Sequence, residues 1–139
     1  MVNNVEDIVI DKNTIEEDVL KYWTIRTPSF SKVRENELMG DIGKGWQFAL
    51  RSTLPFNRYR KILDVGTGTG FFSVLLGRNG YKMTGIDITP TMVEEAKREA
   101  RKFKVKANFL VMDAQKLEFE DGTFDAVITR NLTWTLPDV

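Results

Sequence analysis

The chain has 139 residues, 42 % hydrophobic and 29 % charged, with 20 basic side chains balanced by 20 acidic ones. That length suits one domain with a core of its own, and zero net charge argues against a partner chosen by bulk charge, whether nucleic acid or an anionic membrane surface. The absence of cysteine and histidine excludes disulfide frameworks, thiolate nucleophiles, cysteine or histidine metal sites and the usual general base at neutral pH.

No metal site is expected, and chemistry must run on carboxylates, amides, hydroxyls, tyrosine, lysine or a reactive cofactor. The stretch Met1 to Asp11 lacks the cationic start and apolar core of a signal peptide, and no apolar run approaches membrane-spanning length. A soluble cytoplasmic protein is the expectation.

In chain order, residues 1–13 read as a lead-in. Thr14 and Glu17 have capping-box spacing, and Ile15, Val19, Tyr22 and Trp23 follow a helical stripe, so a first helix is predicted from Thr14. Thr27-Pro28 should end it, because the residue before proline avoids the helical region. A second helix is predicted from about Ser29 or Ser31 to Thr53, weakened by Gly40, Gly43 and Gly45 and closed by Pro55.

Strands and helices then alternate. The strands are predicted at Lys61–Val65, Lys82–Asp87, Ala107–Met112 and Phe124–Thr129. One helix runs from about Gly70 to Arg78 and stops at Asn79-Gly80. The next starts at Thr89 as N-cap with Pro90 in its first turn, and Met92, Ala96, Ala100 and Phe103 line one face. Such alternation predicts an α/β fold of parallel βαβ units. Residues 1–55 form an N-terminal helical segment and 56–139 a nucleotide-binding unit.

The stretch Asp64-Val65-Gly66-Thr67-Gly68-Thr69-Gly70 joins the first strand to its helix. Alternate glycines allow positive φ and close approach of a ligand to the backbone, and the helix behind aims its first N–H groups at that ligand. A dinucleotide fingerprint would need a third glycine at position 71, which is Phe71. A carboxylate at Asp64 would repel a pyrophosphate and attract an amino group, so a ligand with a cationic end is expected. A glycine-rich turn without a ligand is the plain alternative. Asp87 lies 23 residues beyond Asp64, near the spacing at which an acid meets ribose hydroxyls; a cap or turn role is the plain alternative, and the combination with the glycine loop favours the ribose. Asp64, Asp87 and Asp113 all fall at strand carboxyl ends, the ligand-binding edge of a parallel sheet. Asp113 suits an adenine amino group, with Ala114 and Gln115 offering backbone contact.

The D-x-G-x-G-x-G loop, the segment Ile86-Asp87-Ile88-Thr89-Pro90-Thr91-Met92 and the stretch Leu117 to Val127 together resemble the class I S-adenosylmethionine-dependent methyltransferases, small-molecule type, over roughly residues 60–135. The resemblance implies a Rossmann-like parallel sheet of strand order 3-2-1-4, flanked by helices and preceded by two more. It implies S-adenosyl-L-methionine as cofactor, held by Asp64, Gly66, Thr67, Gly68, Gly70, Asp87, Ile88, Met92, Asp113, Ala114 and Arg130. Met92 is similar to a residue that packs on the adenine. Asn131 and Trp134, after the fourth strand, distantly echo an amine-directing motif and are the catalytic candidates; Trp134 could equally be core. Tyr22 and Trp23 could lid the cofactor or simply dock their helix. A small-molecule methyl acceptor is expected, with no membrane and no nucleic-acid partner.

Members of that family have seven strands, and four are predicted in this chain. It therefore reads as the cofactor-binding part of the fold, truncated at the fourth strand, whose open edge should promote self-association. A nicotinamide-dependent oxidoreductase, opposed by Phe71, and a non-catalytic fragment are the competing readings.

Overall fold

A computed structural model describes residues 12–132 and residue 136. The elements are α1 (Lys12–Met39), α2 (Asp41–Thr53), β1 (Lys61–Val65), α3 (Phe71–Gly77), β2 (Lys82–Asp87), α4 (Pro90–Lys102), β3 (Ala107–Val111) and β4 (Ala126–Thr129). All strand pairs are parallel and the sheet order is β3-β2-β1-β4, as the alternation of strand and helix requires. Among the described residues β3 and β4 form the edges, and no helix is long and apolar enough to cross a membrane.

β1 is central and buried from Ile62 to Val65. Successive side chains of a strand point to opposite faces. Ile62 packs with Leu76, Tyr81 and Met83 beneath the helices, while Leu63 and Val65 pack on the other face with Ile86, Phe119 and Phe124. Asp64 shares the face of Ile62, and that parity decides its role below. α3 ends at Gly77 and the chain turns off at Asn79-Gly80, as expected: Gly80 has φ +89°, and Tyr81 N–H and Gly80 N–H reach back to the carbonyls of Leu76 and Gly77 at 3.3 and 3.1 Å. Gly85, paired with Asp64 across the sheet, has no room for a side chain, because a Cβ would lie 2.7 Å from Thr67 Oγ1 and 2.8 Å from Phe109 Cδ1.

The N-terminal helices depart from expectation. α1 does not end at Thr27-Pro28 but runs through Pro28 to Met39, and Thr14 lies inside it rather than capping it. Proline within a helix removes one N–H bond and costs about 3 kcal/mol or more. A tertiary seam to α4 opposes that cost. Thr27 Oγ1 bonds Trp23 O and Thr91 Oγ1, each at 2.8 Å. Ser31 Oγ donates to Glu95 Oε1 at 2.6 Å, and Lys102 pairs with Glu35. Thr27, Ser31 and Leu38 are buried along this line. The real break is at Gly40, and Gly43 fits there because a Cβ would lie 2.4 Å from Leu38 O. Leu38, Trp46 and Leu50 join Phe71, Phe72 and Leu75 in one apolar cluster, so α1 and α2 share the core of the sheet and helices. β4 begins at Ala126 rather than Phe124; Phe124 instead packs edge-on against Phe119 at 5.0 Å.

Candidate functional site

The carboxyl edge of the sheet opens into a cavity of about 260 Å³. Its floor contains Gly66 and Gly68 from the β1–α3 loop, Asp87 and Ile88 after β2, and Met92 from α4. Asp113, Ala114 and Gln115 stand beyond β3, and Arg130, Asn131 and Leu132 follow β4. α1 forms the roof through Glu16, Val19, Trp23, Phe30 and Arg34.

The loop needs its glycines. Gly66 has φ +68° and Gly68 has φ +57°, the left-handed region that side chains disfavour. A Cβ on Gly66 would come within 2.8 Å of Leu132 Cδ1, and one on Gly68 within 3.2 Å of Phe30 Cε1. The backbone is therefore bare toward the cavity at both positions. Gly70 does not reach the cavity: it caps α3 and packs against Ala96, 3.1 Å from where its Cβ would be.

Asp64, expected to face a ligand's amino group, is turned away from the cavity and only 2 % exposed. Its Oδ2 accepts from Thr67 Oγ1 at 2.7 Å and from Ser73 Oγ at 2.9 Å. The pleat explains this: two residues after Ile62, Asp64 points into the helix layer, and a buried carboxylate there must find donors. Burial raises its pKa to about 6, against the hydrogen bonds of Thr67 and Ser73, and the charge of Asp87 adds to the rise. Thr67 is likewise a brace and not a cavity residue. Ser73 was not anticipated, though a buried aspartate calls for such a hydroxyl.

Asp87 does line the cavity. Gly68 N–H donates to its Oδ2 at 3.0 Å and Thr89 N–H to its Oδ1 at 2.9 Å. Each carboxylate oxygen keeps a further lone pair for another donor. Burial raises its pKa, and the two backbone bonds oppose that rise. Met92 is buried in the floor beside it. Asp113 accepts Gln115 N–H at Oδ1, 2.9 Å, which fixes the turn after β3.

A different electrostatic group stands on the β4 side. Arg34 and Arg130 both reach Glu37 Oε2, at 2.6 and 3.2 Å. The Arg34 guanidinium lies 4.6 Å over the Phe30 ring, and that of Arg130 lies 5.1 and 5.2 Å from the rings of Phe71 and Trp46. Burial pushes the Glu37 carboxyl up, but the two arginines outweigh it and hold it below its ordinary range.

Of the expected residues, Gly66, Gly68, Asp87, Ile88, Met92, Asp113, Ala114, Arg130 and Asn131 come together around the cavity; Asp64, Thr67 and Gly70 support the loop instead. Trp134 lies outside the described residues. Trp23 lines the roof, whereas Tyr22 stacks edge-on against it at 5.1 Å and is largely exposed. Phe30 and Arg34 were missed. The spacing 16, 19, 23, 30, 34 is one helical face, but it becomes visible only when the helix is carried through Pro28.

Residues 62–139 match the protein family described as methyltransferase domain. A demethylmenaquinone methyltransferase of Thermus thermophilus is 40 % identical over 70 residues, covering 49 % of this chain and 32 % of its own length. A ubiquinone biosynthesis O-methyltransferase of Xanthomonas campestris is 34 % identical over 91 residues, covering 65 % of this chain and 37 % of its own. The tRNA (uracil-54, C5)-methyltransferase of Pyrococcus abyssi, solved with S-adenosyl-L-homocysteine, is 25 % identical with a TM-score of 0.53, over 60 % of this chain and 20 % of that one. The chain spans about a third of the length of the curated relatives it matches.

Proposed function

The chain belongs to the methyltransferase domain family, and from that premise we propose that it is the cofactor-binding part of an S-adenosylmethionine-dependent methyltransferase. The observation that carries this reading is the link between Gly68 and Asp87. One carboxylate holds the bare glycine loop by its amide and also faces the cavity, where the sugar of a nucleoside laid on the loop could donate to it. Met92 beneath offers an apolar bed for the base, and Asp113 with Ala114 a polar rim for its amino group. Gly66, Gly68, Asp87, Ile88, Met92, Asp113, Ala114 and Arg130 are the proposed contacts, while Asp64, Thr67 and Gly70 keep the loop in shape.

When bound, the cofactor would supply a methyl group activated on a sulfonium, a good leaving group. The chain's own part is then to bind, orient and exclude water. Glycine backbone and Asp87 fix the nucleoside, and the apolar roof of Val19, Trp23 and Phe30 limits water over it. Asn131, at φ +56° on the cavity wall beyond β4, is the proposed residue for orienting the acceptor. That acceptor is proposed to be a small molecule, on the neutral charge of the chain and the quinone-pathway names of two relatives. A relative that bears a tRNA methyltransferase name makes RNA the alternative to test. The cytoplasm is the proposed location.

Thermal melting with S-adenosylhomocysteine and, separately, NAD tests the reading. S-adenosylhomocysteine should raise the melting temperature and NAD should not. A shift with NAD alone, or with neither, overturns it.

A further inference from the structure

The net charge of zero averages over a segregation of charge. Three connections lead the chain into the amino ends of β1, β2 and β3, and within them residues 58–61, 78–82 and 101–106 carry nine of the twenty basic side chains and no acidic one. The sheet is parallel, so these segments gather at one edge, opposite the cavity. Every cation in them is exposed. Lys102 pairs with Glu35, and among the described residues no ion pair fixes the others. Asp125, just before β4, is the carboxylate at this edge, and its Oδ2 accepts the backbone N–H groups of Arg60 and Lys61 at 2.8 Å each. Those bonds, and then the charges of Lys61 and Arg60, hold its carboxyl below the ordinary range.

The register sets three of the cations side by side. Lys61 pairs with Lys82, and Lys106 immediately precedes Ala107, the partner of Met83. By strand parity the three stems leave the same face of the sheet, from neighbouring strands about 4.8 Å apart. Like charges so placed repel, and an anion that repeats along their row relieves the repulsion. Beside the row, arginines cover rings. The Arg60 guanidinium is 5.1 Å from the centre of Phe56, Arg58 is 6.0 Å from Tyr59 and Arg78 is 5.6 Å from Phe103. A guanidinium that covers a ring keeps an outer face, and unstacked nucleobases stack on such planes.

We propose that this amino edge is a docking surface for single-stranded RNA, with the lysine row on successive phosphates and the arginines against the bases. The edge lacks the apolar side chains that a lipid surface would take up: Tyr81 is buried, Tyr59, Phe103 and Val105 are half-buried, and no exposed aliphatic side chain stands in the three segments. A strand's length of about 17–20 Å separates the edge from the cavity, so RNA and a nucleoside bind without competing. RNA is the single strand that a cytoplasmic chain meets, and in that choice alone the assignment rests on the proposed location.

The test is fluorescence anisotropy of a labelled oligouridylate of about fifteen nucleotides, titrated with the whole chain. The unaltered chain should bind it in the micromolar range at about 50 mM salt and roughly tenfold more weakly at about 200 mM. Lys61→Gln, Lys82→Gln and Lys106→Gln together should weaken binding about tenfold at the lower salt. They should also reduce the salt slope by about 2, three phosphate contacts at about 0.7 each. Arg58→Gln with Arg60→Gln should weaken binding too, and serves if the triple variant does not fold. Lys97→Gln with Arg98→Gln removes two cations that pair with Glu94 and Glu95 on α4, and should leave the affinity unchanged. Absence of binding at the lower salt overturns the assignment. So does equal loss in the α4 variant, binding of phosphatidylglycerol vesicles in place of the oligonucleotide, or displacement of the oligonucleotide by S-adenosylhomocysteine.

Discussion

Gly68 N–H donates to Asp87 Oδ2 at 3.0 Å while Thr89 N–H donates to the other oxygen at 2.9 Å. The acid that faces the cavity is therefore also the clasp between the glycine loop and the start of α4. Asparagine has one acceptor oxygen and a donor NH₂ in place of the second, so Asp87→Asn must set its NH₂ against one of these two N–H groups. The expected result is a loss of about 1–3 kcal/mol in S-adenosylhomocysteine binding, read by calorimetry, together with a lower melting temperature of the free chain. Unchanged affinity would remove Asp87 from the site.

The glycine loop yields a second expectation. Gly66→Val places a branched side chain at φ +68° and against Leu132, where strain of roughly 1–3 kcal/mol is typical. Binding should be abolished while circular dichroism shows the sheet and helices retained. Gly122 is the control: it too has positive φ, +75°, but a Cβ there meets nothing within 4 Å. Gly122→Ala should lower stability by about 1 kcal/mol and leave binding alone.

Asp64 should give the chain an unusual acid response. Its carboxyl is lifted from the ordinary 3.8 to about 6 by burial, so between these values the folded chain holds a proton that the unfolded chain releases. Stability from this group therefore falls as pH rises through that window. Relative to Asp64→Asn, in which the other titrating groups are unchanged, the natural chain should lose up to about 3 kcal/mol between pH 4 and pH 7. Urea unfolding at the two ends of the range measures it. A difference that grows in the natural chain's favour with rising pH would contradict the buried, braced carboxylate.

β4 pairs only with β1 among the described residues, and Val127 on it is 61 % exposed. Such an edge recruits another strand. The chain should self-associate at micromolar concentration in light scattering, and Val127→Lys should shift it toward monomer. A monodisperse monomer before substitution would refute this.

Much of the architecture could be read locally. Strand order, the helix starting at Thr89-Pro90 and the placement of Asp87 and Met92 depend on short-range pattern and on motif residues a few positions apart. Asp64 required one more step, the parity of the strand: counting from Ile62 turns it beneath the helices, so its attraction for an amino group was the wrong criterion. Pro28 misled because its local cost is real, and the bonds that offset it, Thr27 to Thr91 and Ser31 to Glu95, each span 64 residues. Arg34 and Phe30 were hidden by that same break, since no local pattern assigned them to the face that carries Trp23.

Pro28 also leaves the carbonyl of Thr24 without its helical donor, one turn behind it. The roof is nonetheless one helix: Trp23 packs edge-on against Phe30 at 5.4 Å, and the stretch with Phe30 and Arg34 is tied through Ser31 and Glu35 to α4. Cutting those ties to α4 should therefore weaken α1 first at Pro28.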